Sequence, residues 1–187
     1  MADQSTNHQI TLLIGYDAMG VFLDTWWKVH NANFNDFSDW LSSMSREIWV
    51  GGSPGDIAEW GDWLDTVLLV CPQRNDVKDE LRRMRAEWEA YRATDNIEPL
   101  EARREALDKL RAVDASQPWH RIGDHPMSTA EAYETMRVRL SAYWNREADD
   151  ITAVQRSIGH PGTAWTSTQW DKWLVAVKSA VERARVV

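Results

Sequence analysis

The 187-residue chain contains one cysteine, Cys71, so no internal disulfide can staple it, and it fits a reducing compartment. No apolar run approaches the roughly 20 residues that a membrane-spanning helix needs. Residues 1–9 (MADQSTNHQ) lack the basic start and apolar stretch of a secretory signal and read as a disordered polar tail. The sequence has no G-x-G-x-x-G, no Walker loop, no H-E-x-x-H and no C-x-x-C. No segment alternates convincingly with period two, which argues against half-buried strands. These absences point to a cytoplasmic all-α protein without cofactor or metal, acting neither on a membrane nor on nucleic acid.

Tryptophan, in contrast, is abundant, with twelve residues among a 43% hydrophobic content. Large aromatic side chains bury much area each, so tryptophan can build the core of a small helical unit. The net charge is −8 and unevenly spread. Residues 10–70 carry nine acids and two bases, residues 71–126 twelve and eleven, and residues 127–187 seven and eight. The first third is therefore strongly acidic. Such a surface repels nucleic acid and favours a cationic protein partner.

The two ends of the chain repeat one pattern. Tyr16, Met19, Leu23 and Trp27 recur as Tyr133, Met136, Leu140 and Trp144, an offset of 117 residues. Asp36, Phe37, Trp40, Ser43 and Met44 recur as Asp150, Ile151, Val154, Ser157 and Ile158. Trp60, Trp63, Leu64 and Val67 recur as Trp170, Trp173, Leu174 and Val177, now at an offset of 110. The offset shrinks only between blocks, where loops belong, so the pattern predicts a duplicated three-helix unit.

In the first unit (10–70), apolar spacing predicts helices over 11–30 and 36–46 and a third running from a cap at Asp56 to just before Pro72. In the second (127–187), Ser128 and Glu131 match the S-x-x-E capping box, a short helix follows over 150–158, and the last helix runs from about Thr168 to Arg185 behind caps at Thr166 or Ser167. Between them, 75–94 and 97–115 predict a charged helical hairpin. Leu81, Met84, Trp88 and Tyr91 form a narrow apolar stripe on its first helix, and residues 117–126 connect onward. The expected architecture is about eight helices, with two equivalent units bridged by the hairpin in a single domain over 10–187.

Catalytic candidates are sparse. His120 and His125 bracket Asp124, a spacing more typical of an exposed turn than of metal ligands. Cys71 has no histidine partner nearby in sequence. Trp49 and Trp165 lie in loops, where aromatic residues often anchor interfaces. Asp56, Glu59, Asp62 and Asp65 lie along one flank of the third helix, and Asp17 and Asp24 on the outer face of the first. Together with Trp49 they form the expected partner-binding set.

The repeated pattern Y-x-x-M-x-x-x-L-x-x-x-W, followed by D-Φ-x-x-Φ-x-x-S-Φ (Φ apolar) and W-x-x-W-L-x-x-V, covers about two thirds of the chain. It resembles small helical immunity proteins encoded beside bacterial polymorphic toxins of the contact-dependent inhibition and type VI secretion types. The resemblance implies a cytoplasmic protein that binds and neutralises a cognate, basic toxin domain, with no catalytic residue of its own. A helical scaffold that assembles, as a homodimer for example, through the charged hairpin is the alternative.

Overall fold

The computed structural model describes residues 7–30, 35–45, 56–94, 100–113, 121–147 and 158–185. In chain order these form β1 (Gln9–Thr11), α1 (Leu12–His30), α2 (Asn35–Met44), α3 (Ile57–Val70), α4 (Asn75–Thr94), α5 (Leu100–Val113), β2 (Pro126–Ser128), α6 (Thr129–Glu147) and α7 (Ser167–Ala184). The protein is all-α, with two three-residue strands among the described residues. Of the short helix expected at 150–158, only Ile158 lies within the described residues.

The helix starts follow local chemistry. Asp56, in extended conformation, accepts a hydrogen bond from Ala58 N at 2.8 Å and opens α3. Ser128 Oγ accepts from Glu131 N at 3.1 Å, while Glu131 Oε2 accepts from Ser128 N at 2.7 Å. That reciprocal pair is the capping box expected at α6. Thr166 and Gln169 form the same device at α7. Each box satisfies amide donors that a helix cannot pair within itself.

The strands escape period-two analysis because three residues are too few to show alternation. They pair antiparallel, with Ile10 opposite Met127, Gln9 opposite Ser128 and Thr11 opposite Pro126. Leu12 N donates to His125 O at 2.9 Å, and Thr129 N donates to His8 O at 2.8 Å. The 117-residue offset maps Leu12 onto Thr129, His8 onto His125 and Ile10 onto Met127. A ladder that pairs a residue with its own counterpart, flanked by two bonds that exchange under the same mapping, has the geometry of a local twofold axis. Gln9 lies in β1, and Asn7 Oδ1 accepts from Ala130 N at 3.2 Å. The tail expected over residues 1–9 therefore does not include residues 7–9.

The aromatic core follows the same mapping. Tyr16 meets Trp60 and Trp63 edge-on, with ring centroids 5.4 and 6.0 Å apart. Tyr133 meets Trp170 and Trp173 at 5.8 and 5.5 Å. Trp60, Trp63 and Trp173 are fully buried. The closest helix packing nevertheless crosses between units: α1 lies along α7, and α3 along α6. Phe22 on α1 touches Trp173 on α7, with ring centroids 6.2 Å apart.

Gly15 allows α1 and α6 to approach at the centre. A Cβ placed there would sit 2.9 Å from Met127 Sδ, 3.2 Å from Ala132 Cβ and 3.3 Å from the Trp63 ring. Ala132 is the counterpart of Gly15 under the 117-residue offset. Gly20 is the opposite case, since among the described residues no atom lies within 4 Å of a Cβ built on it.

The hairpin packs less than its pattern predicts. Val77 and Leu81 are buried, but Trp88 and Tyr91 are exposed and stack on one another at 5.9 Å. Among the described residues the stripe on α4 is thus buried only over its first half.

Replacing Gly15 by valine should destabilise the fold by about 1–3 kcal/mol through overpacking. Replacing Gly20 by alanine should stabilise it by about 1 kcal/mol, because a mid-helix glycine costs that much and nothing among the described residues resists a methyl group there. Urea denaturation of the two variants measures both.

Candidate functional site

The acidic residues predicted for partner binding divide into two groups. Glu59 Oε2 accepts from Trp40 Nε1 at 2.9 Å and from Arg139 Nη2 at 2.7 Å. Asp62 Oδ2 lies 2.8 Å from Arg139 Nη1. Arg139 is buried on α6, so these two carboxylates of α3 hold that helix and, through Trp40, α2. The α3 flank is therefore less negative than its sequence suggests. Glu59 is the most enclosed of the pair, with its side chain only 16% exposed.

The other acids face solvent. Asp56 is exposed while capping α3. Asp65 is half exposed and meets Arg85 of α4 at 3.2 Å. Asp24 meets Lys28 at 2.6 Å in an exposed i,i+4 pair. Such surface pairs are worth about 0–1 kcal/mol and open readily to another charge. Asp17 is half-buried on α1, two turns before Asp24. Trp49 lies outside the described residues. Trp165, the other loop tryptophan, stacks on Trp170 at 5.1 Å and meets Tyr133 at 5.6 Å. It belongs to the aromatic core and is not free to anchor a partner.

A second polar region lies beside the strands. An open groove of about 430 Å³ is lined by Asn7, His8, Arg74, Asp76, Ser128 and Glu131, among others. Arg74 holds Asp76 through Nε at 2.9 Å and Nη2 at 2.6 Å, and its Nη1 donates to Pro126 O at 2.9 Å. His125 Nδ1 lies 2.9 Å from Asp76 Oδ2. The Arg74 guanidinium, helped by His125, keeps the Asp76 carboxyl far below the usual carboxylate range. These charges satisfy one another and cover the open edge of β2, where Pro126 O and Ser128 N would otherwise face a new strand. His125, considered from sequence as a metal ligand, instead hydrogen-bonds Asp76. His120 lies outside the described residues.

Cys71 is buried and donates to Glu131 Oε1 at 3.3 Å. Burial, followed by the Glu131 hydrogen bond and charge, pushes the thiol up to about 11. A thiol held protonated in this way is a poor nucleophile. Burial works against the Glu131 charge, but Ser128 N–H, the Cys71 thiol and Arg74 outweigh it and keep the carboxyl ionised.

Three buried arginine side chains escaped the sequence analysis, Arg139 and two more. Arg137 is fully buried over the Tyr133 ring, 5.7 Å from its centroid. It donates to Glu134 Oε2 and Thr163 O, each at 2.9 Å, and to Thr163 Oγ1 at 2.7 Å, while Gly162 N donates to Glu134 Oε1. This clamp ties α6 to the loop before α7. Arg121 donates through Nε to Glu80 at 2.8 Å, and both side chains are 8% exposed. The signal for Arg137 and Arg139 was their position among Tyr133, Met136 and Leu140 on the inward stripe of α6, where a cation needs a buried partner.

Changing Arg139 to glutamine should cost about 2 kcal/mol. The cost is below the ~3–5 kcal/mol of a fully buried pair because Asp62 is half exposed. Chemical denaturation measures it. Stability should also fall as pH rises from about 9 to about 11, because the unfolded chain ionises Cys71 first. Tyr133, pushed up to about 12 by burial, extends the loss above pH 10. Cys71→Ser should flatten the first part of a thermal-melt series across that range. No protein-family model, curated protein or solved structure matches this chain.

Proposed function

We propose that this chain is a cytoplasmic inhibitor of the immunity type, binding and neutralising a basic toxin domain by direct contact through the acidic surface of α1 and α3. The observation that carries this reading is the distribution of charge over structure. The apolar residues of α1 and α3 turn inward, and Asp24, Asp56 and Asp65 remain at the surface of a segment with nine acids and two bases. Complementary charge of this kind speeds encounter, and a few desolvated contacts then set the lifetime of the complex. Glu59 and Asp62 support the surface from within by fixing α3 on α6. No described helix is long and apolar enough to cross a membrane, which accords with a partner met in solution.

A second reading, a helical assembly protein, is favoured by the exposed Trp88–Tyr91 stack on α4. It predicts a homo-oligomer that Trp88→Ala dissociates.

The inhibitor reading predicts that a basic toxin domain associates at least tenfold more slowly when salt rises from about 50 to 500 mM, because exposed charges are screened over a shorter distance. Asp24→Lys with Asp65→Lys should weaken the complex by tenfold or more and leave the melting temperature within about 2 °C. Stopped-flow association and calorimetry measure these. A salt-insensitive on-rate, or an unchanged affinity in the double variant, would overturn the reading.

A further inference from the structure

The contacts that hold the two units together have the form of an interface between subunits. The ribbon places Ile10 opposite its own counterpart Met127, and α1 and α3 pack on α7 and α6 of the other unit. That surface discriminates between partners. Arg139 on α6 meets Glu59 and Asp62 on α3. Under the repeat, the counterpart of Arg139 on α1 is Phe22, and the counterparts of Glu59 and Asp62 on α7 are Gln169 and Lys172. Two first units set together would bring Phe22 to Glu59 and Asp62 and leave the enclosed Glu59 carboxylate without its cation. Two second units would bring Arg139 to Gln169 and Lys172. They would also put the Ala132 methyl where a Cβ on Gly15 would sit, 2.9 Å from Met127 Sδ and too close for packed atoms. A first unit with a second unit satisfies both the charges and the space.

None of these contacts depends on the two units belonging to one chain. We infer that the surface accepts the matching part of a second copy, so that two chains exchange halves: β1 to α5 of each copy pairs with β2, α6 and α7 of the other. The Arg121–Glu80 pair and the Arg74 bond to Pro126 O run between the same two parts and re-form with them. Exchange creates no new class of contact and loses none. The balance between closed chain and dimer is therefore set by concentration and by the ease with which the connection spans the two parts. Assembly stops at two copies, because each chain offers one part of each kind and both are then occupied. The surface is separate from the solvent-facing acids and from the Trp88–Tyr91 stack, and exchange requires neither.

Two full-length variants with opposite faults test this. One carries Glu59→Gln and Asp62→Arg, which sets a second cation against its own Arg139. The other carries Arg139→Glu, which brings three carboxylates together. Closed on itself, each should melt at least about 5 °C below the native chain. Unfolded in urea and refolded together, they should form a one-to-one dimer. Exchange sets the new arginine against the new glutamate in one interface and restores the native trio in the other. That dimer should melt within about 3 °C of the native chain. A variant that fails to fold alone and is recovered by the other gives the same positive result. A mixture no larger and no more stable than the separate variants would overturn exchange. In a second measurement, a protease site is inserted between Val113 and Arg121 of the native full chain and cut after folding. The two pieces should stay paired one to one on gel filtration, and pair so again after unfolding and refolding. Separation of the pieces, or dimers of one piece alone, sinks the proposal.

Discussion

The close approach of α1 to α6 is the constraint on which the other arrangements depend. Ile10 pairs with Met127 at the centre of the two-stranded ribbon, and Gly15 lets Met127 and Ala132 lie against α1. A larger side chain at Gly15 would push the helices apart and pull the ribbon with them. Because that ribbon leads directly into both helices, its register sets where Tyr16 and Tyr133 fall. Those rings in turn seat the four tryptophans of α3 and α7. A few short contacts near one axis thus position an aromatic core that extends well beyond them.

The two sides of that axis have opposite chemistry. Phe22 on α1 makes an apolar contact with Trp173 on α7. Arg139, at the equivalent place on α6, instead makes charged contacts with Glu59 and Asp62 on α3. Burying a cation there is tolerable only because two carboxylates and an indole N–H complete the network. The acidity of the first third therefore has two roles. Part of it, Glu59 and Asp62, neutralises Arg139 of the last third, and the rest is turned to solvent or to other partners. Net charge counted along a sequence cannot separate these.

What could be read from the sequence was what is decided locally. The Asp56, Ser128 and Thr166 caps bond amides within three residues, so a short pattern contains the whole interaction. Helix positions followed from apolar spacing, and the repeat correctly marked the Tyr–Trp–Trp groups as core. The strands were invisible because three residues carry no period, and their pairing joins His8 to Thr129 across most of the chain. Arg139 finds its partner 80 residues away, beyond any local pattern. Trp88 and Tyr91 continue an apolar stripe that is helical in spacing but stays exposed among the described residues, since spacing shows which face a residue shares and not what lies opposite it.

The crossed packing also governs how the chain can reach this state. α1 lies along α7 and α3 along α6, so the early and late helices of the described chain complete one another's core. The main partner of the first helix, α7, is made after every other described element. Until it arrives, Phe22, Leu23 and Trp26 have no permanent cover, and the loop that must close spans nearly the entire chain. High contact order of this kind slows folding and lengthens the interval in which apolar surface is open to chaperones or to other nascent chains. A protein built in this way completes its core only after α7 has been made.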